Sequence, residues 1–203
     1  MKKIIAAMLV SCMVLSPAAV MAEESTESTD STEMTEVNWE EDIVTPGAFE
    51  DVIKDGRFVT FDEIAVQMWV PNVLEDVELT DEDKKDGYIG YYQSADGSYA
   101  AAVMYVDVKG EDLEAYKTDL EGMDDVSNIA DMVINGLSCV SYDMTETDTS
   151  AIAFTTNDGY ILEFSFAPVS DEDFMSVASL MFCSIMPEQA ATSEASSAAE
   201  SAA

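Results

Sequence analysis

Apolar and polar positions alternate along this chain in short runs, broken at turn-forming residues and twice replaced by a helical period. Phe58-Val59-Thr60-Phe61 and Ile64-Ala65-Val66-Gln67-Met68-Trp69-Val70 read as two strands joined at Asp62-Glu63, the second closed by Pro71. Alternation in the second puts Ile64, Val66, Met68 and Val70 on one face, which predicts a strand turned toward a core. Tyr88 to Gln93 and Tyr99 to Val108 form a further strand pair, with Asp96-Gly97 as its hairpin turn. The run Tyr99-Ala100-Ala101-Ala102-Val103-Met104-Tyr105-Val106 is apolar on both faces and predicts a central strand covered from two sides.

The helical period appears first at Glu111 to Glu121, where Leu113, Tyr116 and Leu120 share a stripe and Gly122 supplies a stop. It returns after Ser170-Asp171-Glu172-Asp173, which has capping-box spacing, with Phe174, Val177, Ala178, Met181 and Ile185 following on one side. Between the helices lie strands at Val126 to Ile134, Leu137 to Met144, Ala151 to Thr155 and Tyr160 to Ala167. Asn135-Gly136 and Asn157-Asp158-Gly159 mark turns among them. Strand pairs and helices in this order predict one α+β domain, a central and mainly antiparallel sheet with helices packed on its faces.

The opening strand ending at Val70-Pro71, the Asn135-Gly136-Leu137 turn and a last helix ending in Ser184-Ile185 resemble the PsbP-like fold superfamily over roughly residues 58–186. The resemblance implies a central antiparallel sheet with helices on its faces. Members that look like this include accessory and assembly proteins and secreted bacterial domains, so the resemblance carries over no functional residue.

Outside residues 50–187 the pattern changes. Lys2 and Lys3, an apolar run from Ile4 to Leu15, Pro17 and the small-residue site Val20-Met21-Ala22 read as a signal peptide over residues 1–22, with the mature chain beginning at Glu23. A second reading of the same stretch takes Leu9-Val10-Ser11-Cys12 as a lipoprotein site, with Cys12 acylated. Residues 23–49 are mostly Glu, Ser, Thr and Asp and predict an acidic, disordered linker. Residues 188–203, rich in Ala, Ser and Glu, predict a disordered tail.

Charge and composition then exclude whole classes of function. Removing Lys2 and Lys3 from the 8 basic residues leaves 6 against 42 acidic ones, a net charge of −36. Such a surface repels phosphate backbones, so nucleic acid is excluded as a partner, and no membrane insertion is expected once the leader is gone. Cationic partners and divalent metals fit the sign. The chain has no histidine, which removes histidine triads, histidine-ligated zinc and imidazole acid–base chemistry. Neither a Ser-x-x-Lys pair nor a Gly-rich phosphate loop occurs.

No catalytic or cofactor-binding residue is assigned, and no cofactor is expected. A calcium loop at Asp81-Glu82-Asp83-Lys84-Lys85-Asp86-Gly87 fails on ligand chemistry, because an EF-hand register puts Lys84 third and Gln93 last. A register on Gly159 puts Phe154 first and Ser165 last. A solvated turn is expected at both. Cys139 and Cys183 are the thiols left after the leader, and a disulfide between them is permitted by export but opposed by helix rotation, which turns Cys183 from the apolar stripe. Aromatics Trp69, Tyr88, Tyr91 and Tyr92, with Tyr99 and Tyr105, are candidates for a ligand surface centred on the hairpin from Tyr88 to Tyr105. The expected function is an exported acidic, non-enzymatic binding or accessory domain, secreted or at the cell surface, contacting an unknown protein or envelope ligand. Its alternatives are a carboxylate-dependent envelope hydrolase and a calcium-binding surface lipoprotein.

Overall fold

A computed structural model describes residues 35–62, 64–106, 110, 112–156 and 159–188. The expected leader, Cys12, and the expected linker before residue 35 lie outside these residues, as do Asn157, Asp158 and the expected tail from residue 189. Over the described part the chain is an α+β domain with a central, mostly antiparallel sheet flanked by helices. It runs β1 (Thr35–Val37), a π-helix (Trp39–Val44), α1 (Glu50–Lys54), β2 (Gly56–Phe61), β3 (Val66–Pro71), β4 (Leu74–Asp76) and α2 (Asp81–Lys85). Then come β5 (Tyr88–Ser94), β6 (Ala100–Val106), α3 (Leu113–Glu121), β7 (Val126–Ile134), β8 (Leu137–Met144), β9 (Thr149–Thr155), β10 (Ile161–Ala167), α4 (Glu172–Cys183) and β11 (Met186–Pro187).

The large sheet has the order β1-β7-β8-β9-β10-β6-β5-β4, antiparallel except where β1 runs parallel to β7. A second sheet, β11-β3-β2, is antiparallel throughout. Strand alternation sorts the large sheet's side chains into two cores. Cys139, Ile152, Phe154, Leu162, Phe164 and Phe166 face the small sheet and α4, while Val140, Tyr142, Ala151, Ala153 and Ile161 face α3 with its Tyr116 and Leu120. Phe61 of β2 meets Phe164 edge-on at 5.5 Å, and Phe166 meets Phe182 of α4 at 4.3 Å.

Four expectations need correction. The doubly covered strands are β9 and β10, where Thr149 to Phe154 are all buried, whereas β6 buries only Ala101 and Val103. The sheet extends two strands past β6, which leaves β6 off centre. The final helix is capped by Asp171, whose side chain accepts from Phe174 N at 2.9 Å. Ser170 instead donates its N–H and hydroxyl to the Asp148 carboxylate at 3.0 and 2.5 Å. Asp81 to Lys85 forms a helical turn with a Thr80–Asp83 capping box. The segment expected to be linker through residue 49 enters the fold at Thr35, because its sparse apolar residues Val37, Trp39, Ile43 and Phe49 are all buried in the main core.

One turn residue ties these layers together. Asn135 and Gly136 have φ of +49° and +81°, the conformation a two-residue hairpin requires. The Asn135 side chain accepts from Trp39 N at 2.7 Å and donates to the carbonyls of Cys183 and Ile185 at 2.8 and 2.7 Å. It therefore joins the entering π-helix to the end of α4.

Candidate functional site

The ligand surface expected on the hairpin divides in two when folded. Trp69 is 1% exposed: its Nε1 donates to the Ile53 carbonyl at 3.0 Å, and its indole lies against Gly56, where any Cβ would come within 2.4 Å of the ring. The Trp69 ring is thus covered by the Ile53 carbonyl of α1 and by Gly56 instead of facing water. Tyr92 is 2% exposed, packs edge-on to Phe61, and its hydroxyl is pushed up to about 12 by burial and then by Asp76. Neither residue forms part of a ligand surface. Tyr99 stacks on Phe174 at 4.5 Å and donates its hydroxyl to Asp171, while Tyr105 meets Tyr160 edge-on.

Tyr88 and Tyr91 stay half-exposed and share a pocket of about 340 Å³ with Val77, Glu78, Leu79 and Asp83. Simple alternation would put two residues three apart on opposite faces. A register shift between Tyr88 and Gly90 in the β5–β6 ladder removes that conflict. Gly90 permits the close packing behind it, since a Cβ there would lie 2.8 Å from the Phe61 ring. On the other wall, Val77 N donates to Tyr91 O at 2.9 Å and holds the segment after β4 against β5.

Asp83 comes to the pocket from α2. Its Oδ2 accepts from Thr80 N at 2.8 Å and Thr80 Oγ1 at 2.7 Å, while Asp83 N donates to Thr80 Oγ1 at 3.2 Å. The Thr80 hydroxyl, and then the Thr80 N–H, hold this carboxyl below the usual range, so it is charged at neutral pH. Gly87 turns the chain from α2 into β5 with φ of +96°, in a place where a Cβ would sit 2.6 Å from the Tyr105 carbonyl oxygen. The pocket lining thus comprises two aromatic, two aliphatic and two acidic side chains, of which Asp83 is held by Thr80. Its lining contains no Lys or Arg and no serine or cysteine nucleophile.

A second polar cluster is enclosed between α3 and the large sheet. Glu163 of β10 is 8% exposed and accepts from the Tyr142 hydroxyl, which lies 2.9 Å from the Tyr116 hydroxyl. Burial raises the Glu163 pKa, opposed by the hydrogen bonds of Tyr142 and Tyr116, and burial likewise pushes Tyr116 up to about 12. A glycosidase-like arrangement calls for two carboxylates flanking a cleft. Here the bonded partner of the buried carboxylate is a tyrosine hydroxyl.

Cys139 and Cys183 are separate buried thiols, not a disulfide. Cys183 is 5% exposed because α4 is covered on more than its apolar stripe, with every residue from Ala178 to Cys183 buried. Burial also pushes the Cys139 thiol up to about 12. Among the described residues no group of three or more Cys, Asp or Glu is gathered to hold a metal ion, and no helix is long and apolar enough to cross a membrane. Sequence reasoning missed Val77, Glu78 and Leu79 as site residues. The available signal was a pair of aliphatic positions alternating within the acidic run from Glu75 to Asp83.

No protein-family profile matches the chain, and no curated protein sequence does. Among solved structures, it is similar to cyanobacterial PsbP (CyanoP) from Synechocystis sp. PCC 6803, at 12% identity and a TM-score of 0.45, over 64% of this chain and 91% of that one. It is also similar to a protein from Bacteroides thetaiotaomicron VPI-5482, at 12% identity and a TM-score of 0.40, over 67% of this chain and 49% of that one, so it spans about half of that relative.

Proposed function

We propose that this protein is an exported, non-enzymatic binding or accessory domain, secreted or held at the cell surface, which seats its ligand at the edge of the sheet between Tyr88 and Tyr91. The carrying observation is the pocket on β5. It is lined from three directions, by Tyr88 and Tyr91 of β5, by Val77, Glu78 and Leu79 after β4, and by Asp83 of the capped helix α2. Its side chains contact and orient, and none is a nucleophile paired with a base. The leader-like residues 1–22 and the large negative charge support an extracytoplasmic setting.

The competing hydrolase reading rests on Glu163, whose raised pKa is a trait shared with catalytic acids. Its enclosure with Tyr116 and Tyr142 favours a structural role. Incubation of the purified domain with isolated envelope polymer, followed by mass spectrometry of released fragments, separates the two. No release is expected; release that disappears in Glu163→Gln would establish the hydrolase instead.

A further inference from the structure

The pocket's composition specifies a ligand class more narrowly than the overall charge does. Val77 and Leu79 offer aliphatic contact, and the faces of Tyr88 and Tyr91 carry the negative quadrupole that attracts a cation. Glu78 and Asp83 add two carboxylates to the lining. Asp83 uses Oδ2 for its bonds to Thr80, and no hydrogen bond from this domain reaches its Oδ1 among those described. Lys84 and Lys85 follow Asp83 directly in α2, yet neither lines the pocket. A volume of about 340 Å³ is near the lower end for ligand sites, enough for one long side chain and short of a large cofactor.

We infer that the pocket receives a single lysine or arginine side chain from a basic segment of a protein partner, its alkyl stem against Val77, Leu79 and the tyrosines and its charged head between Glu78 and Asp83. This deepens the binding-domain reading and rests on it. Charge complementarity argues for a protein partner: the mature chain's net charge of −36 draws in a segment with several basic residues, while the pocket takes one of them. The described cations of this chain are engaged elsewhere, Lys54 with Glu50, Lys117 with Asp131 and Arg57 with the Leu74 carbonyl, or sit on the exposed surface of α2.

The test is calorimetric titration of the mature chain with a capped Gly/Ser peptide bearing one central lysine, the same peptide with norleucine there, and free cadaverine. The lysine peptide is expected to bind, the norleucine peptide to show no heat, and cadaverine to bind more weakly than the peptide. Glu78→Gln and Tyr88→Leu should each weaken lysine-peptide binding about three- to fivefold, in line with the modest strength of partly exposed cation–π and ionic contacts. Asp119→Asn, the same charge change on the exposed face of α3, should alter it less than twofold. An equal loss in Asp119→Asn would overturn the inference in favour of diffuse attraction. So would cadaverine binding as tightly as the peptide, or norleucine binding as well as lysine. Any of these leaves the exported binding-domain reading standing, since that reading fails on polymer turnover or on location.

Discussion

At the scale of single residues, two positions set how closely the layers approach. Gly56 has no strained backbone, yet a Cβ there would meet three atoms of the Trp69 indole at 2.4 to 2.5 Å. Gly56→Ala should therefore cost about 1–3 kcal/mol through overpacking, read as a lower urea midpoint with an unchanged slope. An unchanged midpoint would mean that the indole moves freely. Asn135 permits a sharper test. Glycine suits its φ of +49° at least as well, so a purely conformational role predicts no loss in Asn135→Gly. Three hydrogen bonds to the π-helix and the end of α4 predict a loss of about 2–3 kcal/mol by the same measurement. The Asn-Gly pair was legible in the sequence as a turn. Its reach to Trp39, Cys183 and Ile185 was not, because no local pattern encodes contacts 48 to 96 residues away.

At the scale of elements, hairpin strands were readable wherever a turn signal and a period of two agreed, as at Val126–Ile134 and Leu137–Met144. Elements held by distant partners were not. β1 is three residues in an acidic stretch and exists by pairing with β7, almost 100 residues on. The candidate site was legible in part: Tyr88 and Tyr91 stood out as aromatics on a hairpin, but only the bulge before Gly90 puts them on the same side. The junction of β8, β10 and α3 yields a pH prediction. Burial raises the Glu163 pKa above its ordinary 4.5, so the folded chain holds this proton more tightly than the unfolded chain does. The resulting stabilisation is complete below the unfolded value and is lost as pH rises through the folded one. Glu163→Gln, neutral throughout, should gain stability relative to the parent as pH increases above 4.5, by about 1.4 kcal/mol for each unit by which the pKa is raised. Urea unfolding of both proteins between pH 4 and 8 gives that difference directly. A difference constant across the range would place the Glu163 pKa at its ordinary value.

For the whole molecule, the account depends on where the chain works and on its binding without transforming. The absence of histidine and the net charge of −34 restrict its chemistry and its partners. The central sheet packs against α3 on one face and against α4 and the small sheet on the other, and the proposed contact lies toward its β4–β5 end. The most direct measurement is the intact mass of the protein recovered separately from culture medium, membranes and cell interior. The account predicts a chain beginning at Glu23 in the medium, or a lipidated one beginning at Cys12 on the membrane. The full-length chain still carrying Met1, recovered from the cell interior as the main species, would contradict it.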